Sequence, residues 1–474
     1  MEAPLRRSIT CAGLSALLVV SLATTAAAQD AGAGGGPKAD ASGRTRPESQ
    51  AGAKLKLPET NAGRCVTAFI DMLADATPQH IRAFEMQYRS AKRLAEIGPD
   101  DRVVRGQNVA ERLGKVTLRD VLSVSTGSIA IAADSDHAGP VTLEFIFDLE
   151  QGGKLDGIRI APAGLGAGWL KPARLSPDER SAMVEAAAEA VAQGYVYPEL
   201  GRKMAAALRA KLAAGGYDRF DEDLALAQCL TEEMREISHD RHLAVRPGPP
   251  NTDGHDGPGM RDMAGDNFAF RKVELLPGNI GYIRFDAFLG EPQAFETASA
   301  AMAFLAHCDA LIFDLRYNSG GTPESVRYIT SYLFDKPTHL NDMIDRSGKT
   351  VAEYWTLDAV PGRRFAPDLP VFVLTSSNTF SGAEEFCYNL QNLKRATIVG
   401  ETTGGGAHPV RGVRVNDRIV VGVPFMRACN PISKTDWEGN GVQPDVKTSS
   451  EEALDRAVEL AKEAIAARSA RKSE

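Results

Sequence analysis

Val371-Phe372-Val373-Leu374-Thr375-Ser376-Ser377-Asn378-Thr379-Phe380-Ser381-Gly382-Ala383-Glu384-Glu385 runs a short apolar segment into a polar turn and then into a helix-forming segment. A wholly apolar run of this length, bounded by turn residues, is the pattern of a strand buried on both faces. Its neighbours follow suit. Ile280 to Phe285 reads as a strand, Phe295 to Cys308 as an apolar-faced helix and Ala310 to Leu315 as a second buried strand. A helix from Pro323 and a strand at Thr397 to Gly400 continue the alternation. Strands alternating with helices predict an α/β core with parallel strands, over residues 267–465.

In such sheets ligands gather at the C-terminal ends of strands, where helices begin. Two junctions of that kind stand out: Asp314-Leu315-Arg316-Tyr317-Asn318-Ser319-Gly320-Gly321, and the turn that ends at Ser381. A serine at a helix mouth sits beside unpaired backbone N–H groups and a dipole that favours a developing oxyanion. On this ground alone Ser381 is more often an N-cap than a nucleophile, and Ser376 and Ser377 are equal rivals.

Further from the core, helical spacing begins near Asn61, with Val66, Phe69, Ile70 and Leu73, and a second helix opens at Thr77-Pro78. Val141, Leu143, Phe145 and Phe147 alternate with polar residues, as in a half-buried strand. With strand-like stretches at Leu118 to Val124, Ser128 to Ala133 and Leu155 to Ile160, they predict two helices followed by an antiparallel meander. Residues 61–161 thus form a small α+β domain, loosely similar to the nuclear-transport-factor-like cone. Ser176-Pro177-Asp178-Glu179 then opens the first of three helices in a helical subdomain over residues 175–247. Pro247 to Asp266 reads as a loop.

The chain has 474 residues, 43% apolar and 24% charged, enough for two or three domains with ordinary cores. A net charge of -8 argues against a nucleic-acid partner. Arg6 and Arg7, an apolar run from Ala12 to Ala23 and Ala26-Ala27-Ala28 make residues 1–28 a signal peptide cleaved before Gln29. The run is short for a membrane anchor, and no later segment is long and apolar enough to span a bilayer, so no stable span is expected after cleavage. The expected location is the periplasm or the medium of a bacterium. Residues 29–60, rich in Gly, Ala, Ser and charge, read as a disordered tether. Five cysteines would remain, an odd number without scaffold spacing, and are expected to be buried free thiols.

Six blocks in order carry a resemblance. They are Tyr195-Val196-Tyr197-Pro198-Glu199 with Asp240-Arg241-His242-Leu243; Leu276-Pro277-Gly278-Asn279-Ile280-Gly281-Tyr282; the Asp314 to Gly321 junction; Thr379 to Glu385; Gly400-Glu401-Thr402-Thr403-Gly404-Gly405-Gly406-Ala407-His408-Pro409; and Trp437-Glu438-Gly439-Asn440-Gly441-Val442-Gln443-Pro444-Asp445. Together they resemble the tail-specific, or C-terminal-processing, serine protease superfamily, in the branch similar to the interphotoreceptor retinoid-binding protein. The resemblance implies a crotonase-like or Clp-protease-like spiral core and a serine peptidase acting on peptide or protein substrates without metal or organic cofactor. It also implies Ser381 as nucleophile, His242 as general base, Glu438 as its supporting acid, and the amides of Gly382 and Gly321 as the oxyanion hole. His408, beside the triple glycine, is the rival base.

Two departures bear on mechanism. Relatives with a Ser-Lys dyad carry a lysine in the block matching Gly404-Gly405-Gly406, and this chain has none. Where tetrad relatives have a serine just before the histidine, this chain has Arg241, which cannot accept the imidazole proton but has Glu438 and Asp240 as candidate ion-pair partners. Arg241 and Asp240 are therefore candidate orienting residues. The same branch supplies a reading of another class, a non-catalytic protein that holds an apolar ligand such as a fatty acid or retinoid.

Overall fold

The computed structural model describes residues 56–96, 98–124, 127–148, 152–162, 172–248 and 260–473. The expected signal segment and nearly all of the tether lie outside the described residues. At the N-terminal end, helices α1 (Asn61–Ala74), α2 (Pro78–Tyr88), α3 (Ala91–Glu96) and α4 (Pro99–Leu113) precede strands β1 (Val116–Val124), β2 (Ser128–Ser135), β3 (Gly139–Asp148) and β4 (Lys154–Pro162). The strands form an antiparallel meander in the order β1-β2-β3-β4. The two-helix expectation for this region is corrected to four. Gly98-Pro99 reads as a turn in sequence, yet it supplies the N-cap and first residue of α4, which buries Val103, Val104 and Leu113.

Helices α5 (Pro177–Gly194), α6 (Pro198–Ala213) and α7 (Asp223–Ser238) follow. The Ser176 side chain caps the start of α5, and the Glu179 carboxylate accepts from the Ser176 amide at 2.8 Å. Next come β5 (Ala244–Pro247), α8 (Met260–Gly265), β6 (Phe270–Leu276), β7 (Ile280–Phe285), α9 (Pro292–Phe304), β8 (Ala310–Asp314), α10 (Pro323–Thr330), β9 (His339–Asp345) and β10 (Thr350–Trp355). The chain continues through β11 (Val371–Thr375), α11 (Gly382–Asn392), β12 (Thr397–Gly400), β13 (Val410–Arg414), β14 (Ile419–Pro424), β15 (Met426–Cys429), β16 (Val446–Lys447) and α12 (Ala453–Ser473). Helix α8 falls inside the expected loop, and α12 runs eight residues past the expected end of the core.

The principal sheet has the order β16-β12-β11-β8-β7-β6. Its first five strands are parallel, and β6 pairs antiparallel with β7 at the edge. Strand side chains alternate between faces. Leu311, Phe313, Val371 and Val373 therefore join the large cluster that contains Phe285, Phe288 and Phe386. Ala310, Ile312, Phe372 and Leu374 face the other way, onto Ala453, Ala457 and Ala461 of α12. Every residue of β8 and β11 is buried, which accounts for the four apolar residues that open each strand.

Helices α5 to α7 pack on a second, three-stranded antiparallel sheet, β13-β14-β5, through Val245, Ile419, Val421 and Val423. This sheet carries the chain on from the turn at His242. Strands β10-β9-β15 form a third antiparallel sheet. The five cysteines of the described residues are free thiols, four of them buried. No helix among the described residues is long and apolar enough to cross a membrane.

Candidate active site

Strands β8 and β11 are neighbours, so their C-terminal turns meet. The buried Asp314 binds Arg316 through two side-chain hydrogen bonds, of 2.9 and 2.6 Å, and accepts from the Tyr282 hydroxyl at 2.7 Å. Thr379 Oγ1 and Ser376 Oγ cross between the turns, donating to the carbonyls of Leu315 (2.8 Å) and Arg316 (2.5 Å). Ser376 is wholly buried and spends its hydroxyl on this anchor, so it is no longer a rival nucleophile. Ser377 remains half-buried, with its amide 3.4 Å from Glu401 Oε2.

Ser381 stands at the N-cap of α11 with φ 54° and ψ -120°. A non-glycine residue in this region costs about 1–3 kcal/mol and persists only where its surroundings hold it there. Gly320 and Gly321, with φ of 102° and 149°, pass directly over it. A Cβ on Gly320 would lie 2.7 Å from both the Gly382 amide nitrogen and Ser381 Cβ, and one on Gly382 would lie 3.0 Å from the Gly321 nitrogen. The Gly321 and Gly382 amides have no acceptor among the described residues, so two free donors flank the Ser381 side chain.

His242 arrives from the helical side. Helix α7 ends on a left-handed His239. Asp240 Oδ1 then accepts from the His242 amide at 2.9 Å, and Arg235 holds the carbonyls of Arg241 and Leu243, each at 2.7 Å. The imidazole packs on Phe380, the residue before Ser381, with ring centroids 4.6 Å apart. Its other wall is Gly406, where a Cβ would come within 2.6 Å of His242 Cε1. The ring makes no hydrogen bond to Ser381, and its buried Nδ1 has no partner. Burial pushes its pKa down to about 4, against the pull of Asp240, so the ring is neutral at neutral pH.

Two carboxylates stand beside it: a ring nitrogen of His242 and oxygens of Asp240 and Glu438 lie within 4.8 Å of one another. Asp240 Oδ2 accepts from the Tyr195 hydroxyl at 3.0 Å and contacts His408 Nδ1 at 2.6 Å. Burial opposes charge on both members of the Asp240–His408 pair, but their mutual hydrogen bond and attraction win. Asp240 is held below and His408 above its ordinary value. The expected rival base is thus committed to a buried ion pair. Glu438 Oε2 accepts from the Ala407 amide at 2.5 Å, while its buried Oε1 has no partner. Burial and the neighbouring Asp240 charge push Glu438 up to about 7.

Arg241 departs from expectation. It is exposed, its Nη1 donates to the Gly404 carbonyl at 2.6 Å, and it pairs with neither Glu438 nor Asp240. The reason is direction: Asp240 and His242 turn inward, and the residue between them turns out along the glycine loop. The sequence reading singled out no role for Glu384, which is fully buried and accepts from Ser381 N, Gly406 N, Gly405 N and Thr403 Oγ1. Its one signal in sequence is the S-x-x-E spacing of a capping box.

Three solved structures show how far the likeness extends. The photosystem II D1 C-terminal processing protease is 17% identical, with 58% of this chain and 96% of that one covered and a TM-score of 0.38. A lipoprotein from Streptococcus agalactiae is 15% identical over 61% and 99% of the two chains, with a TM-score of 0.42. The tricorn protease is 13% identical over 74% and 46%, with a TM-score of 0.41. Residues 178–267 match the N-terminal domain of peptidase S41 in eukaryotic IRBP, and residues 279–448 match peptidase family S41. The two matches together span more than half of the chain, which belongs to peptidase family S41 and is a serine peptidase with an IRBP-type N-terminal domain.

Proposed function

We propose that this peptidase is exported and cleaves peptide bonds through an acyl-enzyme on Ser381, with His242 as general base. The observation that carries the reading is Ser381 itself, a strained residue at a helix mouth flanked by the free amides of Gly321 and Gly382. Ser381 Oγ attacks the peptide carbonyl carbon and gives its proton to His242, which burial keeps unprotonated at neutral pH. The carbonyl oxygen, now an anion, is received by the two amides. His242 passes the proton to the departing amine as the C–N bond breaks, and water, deprotonated by the same ring, releases the acid. The ring stands out of hydrogen-bond contact in the resting chain, so substrate binding must bring it onto Ser381. Catalytic contacts commonly tighten only in the complex.

The five parallel strands with helices on both faces support a crotonase-like or Clp-protease-like spiral for the core. The helices and antiparallel sheet near the N-terminus support a nuclear-transport-factor-like cone. Export rests on the arginine pair, apolar run and small-residue site of residues 1–28. N-terminal sequencing of the mature protein should then return Gln29 first, and retention of Met1 in a protein recovered from the cytoplasm would refute it. For the chemistry, a fluorophosphonate should label the wild type, while Ser381→Ala and His242→Ala label at no more than background. Equal labelling of wild type and Ser381→Ala would remove Ser381 from the reaction.

A further inference from the structure

Glu384 is 0% exposed, and it is hydrogen-bonded far beyond what a helix cap requires. Of the two reciprocal bonds of a capping box, the carboxylate of the third helical residue supplies one, accepting from the N-cap amide. Glu384 makes that bond, from Ser381 N to Oε2 at 2.8 Å. The same oxygen accepts from Gly406 N at 2.8 Å, and Oε1 accepts from Gly405 N at 2.6 Å and Thr403 Oγ1 at 2.5 Å. Thr403 Oγ1 is itself the acceptor for Val442 N at 2.7 Å, so its hydrogen is directed to the carboxylate. All four partners are neutral donors, and no cation among the described residues pairs with the buried acid. A bare helix cap would not demand so costly a burial.

The three bonds beyond the cap all go to residues 403–406, and that loop adjoins both His242 and the segment that carries Glu438. Gly406 is the wall against which the His242 ring lies, and its carbonyl accepts from Trp437 Nε1 at 2.7 Å. The next amide, of Ala407, holds Glu438. Thr403 and Val442 are joined through both side chain and backbone, which ties down the segment after Glu438. Gly404 carries the Arg241 contact beside His242.

On the proposed reading of Ser381 and His242, the structure assigns to Glu384 the role of a positioning residue. Its carboxylate sets the separation between the nucleophile turn and the glycine loop that backs the base and carries its supporting acid. It touches neither substrate nor the reacting atoms, and it acts through the Ser381 amide on one side and through Gly405 and Gly406 on the other. Glutamine has the same shape but turns an N–H₂ toward donors that need an acceptor, so one oxygen's pair of bonds is lost. A shift of about 1 Å between nucleophile and base is enough to cost on the order of 10²-fold in rate.

The test uses the full chain, a peptide substrate and a fluorophosphonate. Glu384→Gln should lower kcat and the labelling rate by on the order of 10²-fold, with KM within about threefold of wild type. A merely structural role would lower the melting temperature and leave kcat per folded molecule intact. Thr403→Val, which removes one donor and spares the carboxylate, should lose on the order of 10-fold in kcat, and Thr403→Ser, which keeps the hydroxyl, should recover it. Should Glu384→Gln fail to fold, the threonine pair decides alone: equal kcat for Thr403→Val and Thr403→Ser overturns the role. Folded Glu384→Gln with wild-type kcat also overturns it. Ser381→Ala separates the two readings. Its inactivity beside unimpaired Glu384→Gln and Thr403→Val removes only Glu384, whereas full activity of Ser381→Ala removes the reading on which this one rests.

Discussion

Gly406→Ala probes the placement of His242 without replacing a proposed catalytic group. The added Cβ would stand 2.6 Å from His242 Cε1 and 2.3 Å from Phe380 Cζ. Non-bonded carbons settle at roughly 3.5–4.0 Å, so the imidazole must retreat by about 1 Å. Gly406 is not among the positive-φ glycines, so alanine is tolerated by the backbone and the strain falls on the two rings. Overpacking of this kind costs about 1–3 kcal/mol, which leaves a core of this size folded. Displacing the base by about 1 Å should lower kcat/KM by on the order of 10²-fold, about 2.7 kcal/mol of transition-state stabilisation. Peptide hydrolysis and the rate of fluorophosphonate labelling are the assays, with the melting temperature as control. A folded Gly406→Ala protein that labels within threefold of wild type would show that His242 need not sit where this structure puts it, and the reasoning from its two walls would fail.

Three more expectations follow from the same geometry. In the proposed reading His242 works as the free imidazole, so kcat/KM should fall as pH drops through its pKa; with that value near 4, the acid limb should lie well below the 6.5 of an ordinary histidine. A limb centred near 6.5 in the pH–rate profile would contradict the burial argument. His408→Gln leaves Asp240 without its buried counter-charge and should cost about 3–5 kcal/mol in denaturant unfolding. The pair also sets a pH window. Asp240 is lowered, so its contribution is present above 3.8 and lost as pH falls through its folded value; His408 is raised, so its contribution is full below 6.5 and lost as pH rises through its folded value. The stability difference between wild type and His408→Gln should therefore be greatest between those two pH values, and a difference independent of pH would refute the ion pair. Finally, Gly321→Ala puts a Cβ 2.0 Å from the Phe288 carbonyl oxygen and shifts the amide proposed for the oxyanion site. Its kcat should fall by on the order of 10²–10³-fold, and a wild-type rate would remove that amide from the oxyanion site.

What could be read in advance divides along a physical line. Strands β8 and β11 are buried on both faces, so their composition announces them without any knowledge of their neighbours. Strands β9, β10, β13 and β15 are partly exposed; β10 and β13 pair within hairpins, and β15 finds β9 about 80 residues back, so what makes them strands is the pairing and not their composition. Local sequence carries little of that. Helix α4 was hidden for another reason: its opening Gly98-Pro99 is also a turn signal, and only burial of Val103 and Val104 against neighbouring elements settles the ambiguity. The site shows the same division. Ser381 and the two glycine amides belong to strand-end turns that family motifs mark. The Asp240–His408 contact joins residues 168 positions apart, and three of the four Glu384 bonds reach to residues 403–406, so neither leaves a trace in spacing.

Which carboxylate serves His242 can be argued from what each oxygen already does. Asp240 Oδ1 is taken by the His242 backbone amide, and Oδ2 by the Tyr195 hydroxyl and His408. Asp240 therefore shapes the turn that presents the ring and is itself neutralised by His408. Glu438 keeps one oxygen, Oε1, buried and unpartnered, and His242 keeps Nδ1 in the same condition. A buried donor and a buried acceptor left without partners cost free energy that a bond between them would recover. A ring nitrogen of His242 and a Glu438 oxygen lie within 4.8 Å, so in the proposed reading a small movement of the ring would pair Nδ1 with Oε1. That pairing would leave Nε2 as the nitrogen facing Ser381, and it would raise the basicity of a ring that burial alone makes too weak a base. In the proposed reading, the movement that makes His242 a better base is thus the movement that aims it, and Arg241, fastened to the Gly404 carbonyl, takes no part in either.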